Sequence, residues 1–144
     1  MSPRIGSRRL SRELALRALF QVDVASTAPE AAVEVVSDEE RYSEDTLAFA
    51  RELVLGASTH IGELDAAIQK HAHGWTLSRM ANVDRNILRL AMYELLYLAD
   101  IPASVTIDEA VELAKKYSTA ESGRFVNGVL GNVARGLEEE RAEE

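Results

Sequence analysis

Residues 81–98 read ANVDRNILRLAMYELLYL. At the helical period, Ile87, Leu88, Leu90, Ala91, Met92, Leu95 and Leu96 place apolar side chains nearly all round this segment. A surface helix carries one apolar stripe. A helix that is apolar on most sides sits in the centre of a bundle. Asp100, Ile101 and Pro102 stop it, because proline cannot continue the backbone ladder. The stretch therefore predicts an all-α fold built around one central helix over about 81–98.

The flanking segments keep the same period. Leu14, Ala15, Ala18, Leu19 and Val22 recur at spacings of three and four, the stripe of an amphipathic first helix that ends near Ser26. Pro29 suits the first turn of a short second helix over about 29–37. An acidic connector follows to Tyr42. Ser43 has the chemistry of an N-cap, with Glu44 and Asp45 in the first turn where carboxylates complement the helix dipole. A long third helix is predicted from there to Lys70 or His71, carrying Leu47, Ala50, Leu53, Val54, Ala57, Ile61, Leu64 and Ile68 inward. Gly56 and Gly62 inside it read as sites of close packing or a bend. HAHGWTLS, residues 71–78, is a break. A helix over about 103–117 should bury Val105, Ala110, Val111 and Ala114. Ser118 and Glu121 have capping-box spacing before a last helix, which carries Phe125, Val126, Val129, Leu130 and Val133 to about Leu137. The expectation is a single helical domain over 1–137 and a frayed acidic tail over 138–144.

Composition narrows the function. The 144 residues contain no cysteine, so disulfides, thiol chemistry and thiolate metal sites are excluded. No apolar run is long enough to span a bilayer, and the densest, Ile87 to Ile101, is interrupted by charges. The expected location is the cytoplasm. The formal net charge is −8, yet residues 1–25 hold Arg4, Arg8, Arg9, Arg12 and Arg17 against only Glu13 and Asp23. Acid gathers instead in the connector and in the tail EEERAEE. This asymmetry is the better pointer to a partner than the global charge.

Cations at a helix N-terminus face the positive end of the macrodipole, at a cost of about 0.3–1 kcal/mol each. Stability alone would place acids there. Arg8 and Arg12 project within about 40° of each other at the helical period, with Arg9 beside them. Three guanidiniums and the free N–H groups of the first turn make an anion site, and the plausible polyanion is a nucleic-acid backbone.

SGRFVNGVLGN, residues 122–132, opens the last helix with Arg124 and Phe125. Phe125 is either a core residue or a stacking platform beside a cation, the combination single-stranded RNA binders use. Gly128 and Gly131 would let another helix approach closely. Arg89 sits between apolar neighbours and calls for a carboxylate partner such as Glu94, Glu109 or Glu112. His71 and His73 lack a third ligand, so no metal is expected. Asp108, Glu109 and Glu112 could be paired carboxylates, but Glu112 and Lys116 at i, i+4 read as a salt-bridged face. Phosphate-loop, dinucleotide and nucleophile-elbow motifs are absent, and no nucleophile, base and oxyanion site assembles. The chain reads as a binding protein, not an enzyme, with no cofactor.

RRLSRELALRALFQVD, VDRNILRLAMYELLYLADIPASVTIDEAVELAKKY and SGRFVNGVLGNVAR occur in this order over most of residues 8–135. In these segments the chain resembles the NusB family of bacterial transcription antitermination factors. The resemblance implies an all-helical bundle of two subdomains and about seven helices, one more than the six read above, with the extra short helix around Leu77 to Met80. It implies binding to the boxA element of nascent ribosomal RNA as a single strand, together with NusE, a ribosomal protein, within an RNA polymerase antitermination complex. By the same resemblance Arg8, Arg9 and Arg12 match the arginine-rich motif, which Leu10 interrupts. Phe20, Arg89, Glu121, Ser122, Arg124 and Phe125 fall on RNA-contacting positions, with Gly123 where a larger polar residue is expected. Asp84 falls on the NusE side. Some family members self-associate, so a homodimer is a further expectation. The rival reading is a homo-oligomeric protein-interaction scaffold with no RNA binding of its own.

Overall fold

The computed structural model describes residues 6–143; Arg4 and Glu144 lie outside them. Among the described residues there are seven α-helices and one 3₁₀ turn: α1 (Arg8–Ala25), α2 (Pro29–Ser37), α3 (Glu44–Thr59), α4 (Ile61–His71), the turn Leu77–Arg79, α5 (Asn82–Tyr97), α6 (Ala103–Tyr117) and α7 (Ala120–Ala142). They group into two units, one ending at His60 and the other beginning at Ile61.

In the first unit α1, α2 and α3 pack on one another. Ser7 caps α1, its hydroxyl accepting the Leu10 N–H at 3.0 Å. Ser43 caps α3 as expected, accepting the Thr46 N–H at 3.2 Å. Leu14, Ala15, Ala18 and Leu19 of α1 meet Val33 and Val36 of α2 and Phe49, Leu53 and Val54 of α3 in the core. Each fully buried leucine or phenylalanine is worth about 1.5–3 kcal/mol. Buried Ser11 is satisfied across helices, its Oγ donating to the Thr46 carbonyl at 2.8 Å. α1 ends at Ser26, which adopts the left-handed conformation at φ 56°, the position a helix C-terminus usually gives to glycine.

The long third helix expected from Ser43 to His71 is two helices. The His60 N–H still bonds the Gly56 carbonyl at 3.1 Å, but the His60 backbone then leaves the helical region (φ −106°, ψ 20°). Gly56, Ser58, Thr59, His60 and Gly62 crowd this stretch, and all are poor helix formers. A Cβ at Gly62 would meet nothing within 4 Å, so this glycine serves the break and not a close contact. The seventh α-helix comes from that break. The extra element expected near Leu77 to Met80 is the 3₁₀ turn.

In the second unit α5 is the central helix, packed on α4, α6 and α7. It is buried continuously from Asn86 to Leu95, polar residues included. These find partners: Glu94 accepts from Thr106 at 3.2 Å, and the Asn86 amide donates to the Asn82 carbonyl at 2.8 Å. The bond to Glu94 turns Thr106 inward. α6 therefore buries Thr106, Ala110, Leu113 and Ala114; Ala110 and Ala114 face inward as expected, whereas Val105 is exposed and Val111 half-buried. Along α6 Glu112 pairs with Lys115 at 3.7 Å, and Lys116 lies over the Tyr117 ring.

The cap of α7 is Thr119, not Ser118. Its hydroxyl accepts the Ser122 N–H at 3.0 Å, and Glu121 stays exposed. The helix continues through the acidic segment to Ala142. The glycine that permits close helix packing is Gly123, where a Cβ would lie 3.1 Å from Lys115 Cγ of α6. Gly128 faces open space, and Gly131 has only Arg135 of its own helix nearby. The expected close approach at that pair is replaced by one at Gly123.

Candidate nucleic-acid interface

The arginine cluster belongs to the first unit and is organised by Phe49 of α3. The Arg8 guanidinium carbon lies 3.9 Å from the Phe49 ring centroid, and that of Arg12 lies 5.5 Å away. Stacking on the ring face leaves the edge of a guanidinium free to donate in its own plane. Arg8 and Arg9 are exposed, whereas Arg12 is only 5% exposed. The site is thus two presented cations, Arg8 over the Phe49 ring and Arg9 beside it in sequence, with Arg12 lending its stem to packing. Ser7 already occupies one first-turn N–H, so the expected set of free amides is smaller. Arg17 is paired with Glu39. Phe20 is exposed. At about 100° per residue it projects within about 20° of Arg9, about 16 Å further along α1. Cation and aromatic therefore share one strip of the helix.

The second constellation lies wholly in the second unit. A cavity of about 630 Å³ is lined by Trp75, Arg79, Asp84, Glu121, Arg124 and Phe125, with Ser122 in its wall. The expected RNA residues Glu121, Ser122, Arg124 and Phe125 thus meet Asp84, expected on the protein-partner side, around one space. Phe125 is half-buried and packs edge-on to Trp75, with ring centroids 6.0 Å apart at 64°. It is neither a core residue nor a bare platform but one wall of the cavity.

Asp84, in the first turn of α5, is 8% exposed. Its Oδ2 accepts from the Ser122 hydroxyl at 3.0 Å, and its Oδ1 is buried without a partner. Ser122 in turn lies 2.9 Å from Ser118 Oγ and accepts from Thr119 at 3.1 Å. This hydroxyl chain fixes the start of α7 against the start of α5, which sets where Phe125 stands.

Arg89 does not join either group. Its Nε and Nη2 donate to the two carboxylate oxygens of Asp65 on α4, and its Nη1 donates to Asn86. None of Glu94, Glu109 or Glu112 is the partner in that bidentate contact. The side chain is 11% exposed and braces α4 against α5.

Trp75 and Arg79 were not foreseen from sequence. Trp75 is the chain's one tryptophan, set in a polar break, and that is the signal that marks it. Its loop is held by Gln69 of α4: the side-chain amide donates to the Trp75 carbonyl at 2.5 Å and accepts the Leu77 N–H at 3.2 Å. Arg85 of α5 fixes the far side, donating to the Leu77 carbonyl at 3.0 Å.

Among the described residues no helix is long and apolar enough to cross a membrane. Known proteins share this arrangement over nearly its whole length. A transcription antitermination protein NusB of Symbiobacterium thermophilum is 52% identical over 139 residues, covering 91% of each chain. A solved T. maritima NusB superposes with a TM-score of 0.84 at 41% identity, covering 90% of this chain and 92% of that one. A chain from a crystal structure of antitermination factors NusB and NusE in complex with dsRNA superposes with a TM-score of 0.84 at 32% identity, covering 90% of this chain and 96% of that one. The sequence pattern of the NusB family matches residues 9–135, and the chain belongs to that family.

Proposed function

We propose that this chain is an RNA-binding transcription antitermination factor. It takes the boxA element of nascent ribosomal RNA together with NusE and supports processive transcription by RNA polymerase, in the cytoplasm and without catalysing a reaction. The observation that carries this reading is the cavity where Trp75 and Phe125 meet with Arg79 and Arg124 among its lining. Aromatic faces beside cations suit unpaired bases on a phosphate chain. Arg8 and Arg9 of the first unit add phosphate contacts. Family membership supplies the process, and a relative solved with NusE and dsRNA supports the choice of partners. Bases inside a duplex have their faces covered, so the aromatic wall favours a single strand.

The test is a titration of labelled boxA RNA, single-stranded and as a duplex, with the chain alone and with NusE. Tighter binding of the single strand, strengthened by NusE and weakened by salt, is expected. Binding of NusE with no RNA binding, even in the complex, would overturn the reading in favour of a protein-interaction scaffold.

A further inference from the structure

We propose that Trp75 is a base-stacking residue, and that its cavity takes one unstacked nucleobase of a bound single strand against the indole, with Phe125 as the second wall. The inference rests on the RNA-binding reading and names the subsite within it. Three features support it. The cavity, at about 630 Å³, falls within the range of about 300–1,000 Å³ typical of small-ligand sites. Trp75 is 50% exposed although it is the largest apolar side chain in the molecule. Among the described residues its ring partner is Phe125, in a T-shaped contact, and the exposure of Trp75 leaves indole surface uncovered.

The loop is also prepared for this task. Gln69 clamps it by a donated and an accepted bond, at Trp75 and at Leu77. Arg85 holds the Leu77 carbonyl from the other side. A loop carrying an exposed tryptophan needs no such bracing for solubility. Fixing the indole in advance lowers the ordering cost of binding. Gln69 is accordingly a positioning residue.

Charge decides what enters and what stays outside. Asp84 and Glu121 contribute carboxylates to the lining and Arg79 and Arg124 contribute guanidiniums, so its formal charges balance; both arginines are exposed. A phosphate placed inside would gain from the arginines but lose to the carboxylates. A neutral base inside, with its flanking phosphates outside on the exposed arginines, avoids that conflict. The cavity is thus matched to a nucleobase and not to a free anion.

Because the chain has a single tryptophan, its fluorescence reports this cavity alone. Single-stranded boxA oligomer is titrated into the full chain, reading tryptophan emission and, separately, the anisotropy of labelled RNA. Saturable quenching with the same midpoint as the anisotropy is expected. Trp75→Ala should weaken binding about 5- to 150-fold, and Trp75→Phe should recover most of that loss. Gln69→Ala should loosen the indole in time-resolved anisotropy and weaken RNA binding with little change in melting temperature. RNA that binds while Trp75 emission stays silent and Trp75→Ala binds like the parent overturns this inference and leaves the RNA reading standing. RNA that does not bind at all, with or without NusE, overturns both. Quenching by NusE but not by RNA assigns the cavity to a protein side chain and overturns the inference.

Discussion

Arg89 grips Asp65 with two parallel hydrogen bonds, Nε to Oδ1 at 2.8 Å and Nη2 to Oδ2 at 2.9 Å. The pair spans α4 and α5 and is shielded, with Asp65 somewhat more open than Arg89. Breaking a buried pair strands the surviving charge. Arg89→Ala should therefore destabilise the fold by about 2–4 kcal/mol, less than for a fully enclosed pair because Asp65 keeps some water. Arg89→Lys should recover only part, since lysine cannot form the two-pronged contact. Chemical denaturation measures both. RNA affinity of the folded Arg89→Lys protein should match the parent. A selective loss of RNA affinity at unchanged stability would mean that Arg89 reaches the ligand.

The arginines of α1 divide by their environment. Arg9 is exposed, so Arg9→Ala should cost at most about 1 kcal/mol of stability and weaken RNA of every sequence alike. Its salt dependence should fall by about 0.7 in the slope of log K against log salt, the share of one phosphate contact on a single strand. Arg12 is nearly buried over Phe49. Arg12→Ala should cost about 1–2 kcal/mol of stability through lost packing and cation–π contact. An unchanged salt slope for Arg9→Ala would remove the phosphate role from Arg9, and the same result for Arg8→Ala would remove it from this helix.

How much of this was legible depended on distance along the chain. α2 and α6 were readable to the residue, and Ser43 as a cap, because caps and prolines act on their near neighbours. The break at His60 was hidden, since Leu53, Val54, Ala57, Ile61 and Leu64 keep a helical spacing straight through it. An apolar stripe survives a one-residue interruption that the backbone does not. The contact of Arg89 with Asp65 was missed for a different reason: helices on both sides of α5 carry carboxylates at similar sequence distance, and periodicity does not say which one packs against the arginine. The aromatics show both cases. Phe125 stood beside Arg124 in a recognisable pattern, whereas Trp75 lies in a loop with no period, and only the fold brings the two rings together.

The glycines of α7 offer a contrast set. Gly128→Ala meets open space, and Gly131→Ala meets only the flexible end of Arg135. Each should stabilise the helix by about 0.5–1 kcal/mol through its backbone entropy. Gly123→Ala gains the same term but sets a Cβ against Lys115 Cγ at 3.1 Å. The lysine is exposed and can yield, so a net change near zero is expected. Melting temperatures test the order Gly128→Ala above Gly123→Ala. Sedimentation of Gly128→Leu tests the rival scaffold reading: if copies pair through this face, the larger side chain will lower the solution mass. An unchanged mass for parent and variant removes that face from any dimer.

Asp84 separates stability from function. Its Oδ1 is buried without a partner, which costs about 1–3 kcal/mol. Against this, Oδ2 holds the Ser122 hydroxyl, worth about 0.5–1.5 kcal/mol, and the carboxylate complements the α5 dipole for about 0.3–1 kcal/mol. The terms nearly offset, so Asp84→Ala should shift stability by less than about 1 kcal/mol. Ser122 is partly exposed and keeps Ser118 and water as alternative partners. Binding should respond more than folding, because Asp84 lines the cavity and anchors the start of α7 through Ser122. Two titrations of Asp84→Ala, with boxA RNA and with NusE, show which ligand depends on it. A melting temperature that collapses, with binding intact in the remaining folded protein, would make Asp84 a purely structural residue. A near-parental melting temperature with binding lost would explain why a carboxylate oxygen is kept buried and unpaired here.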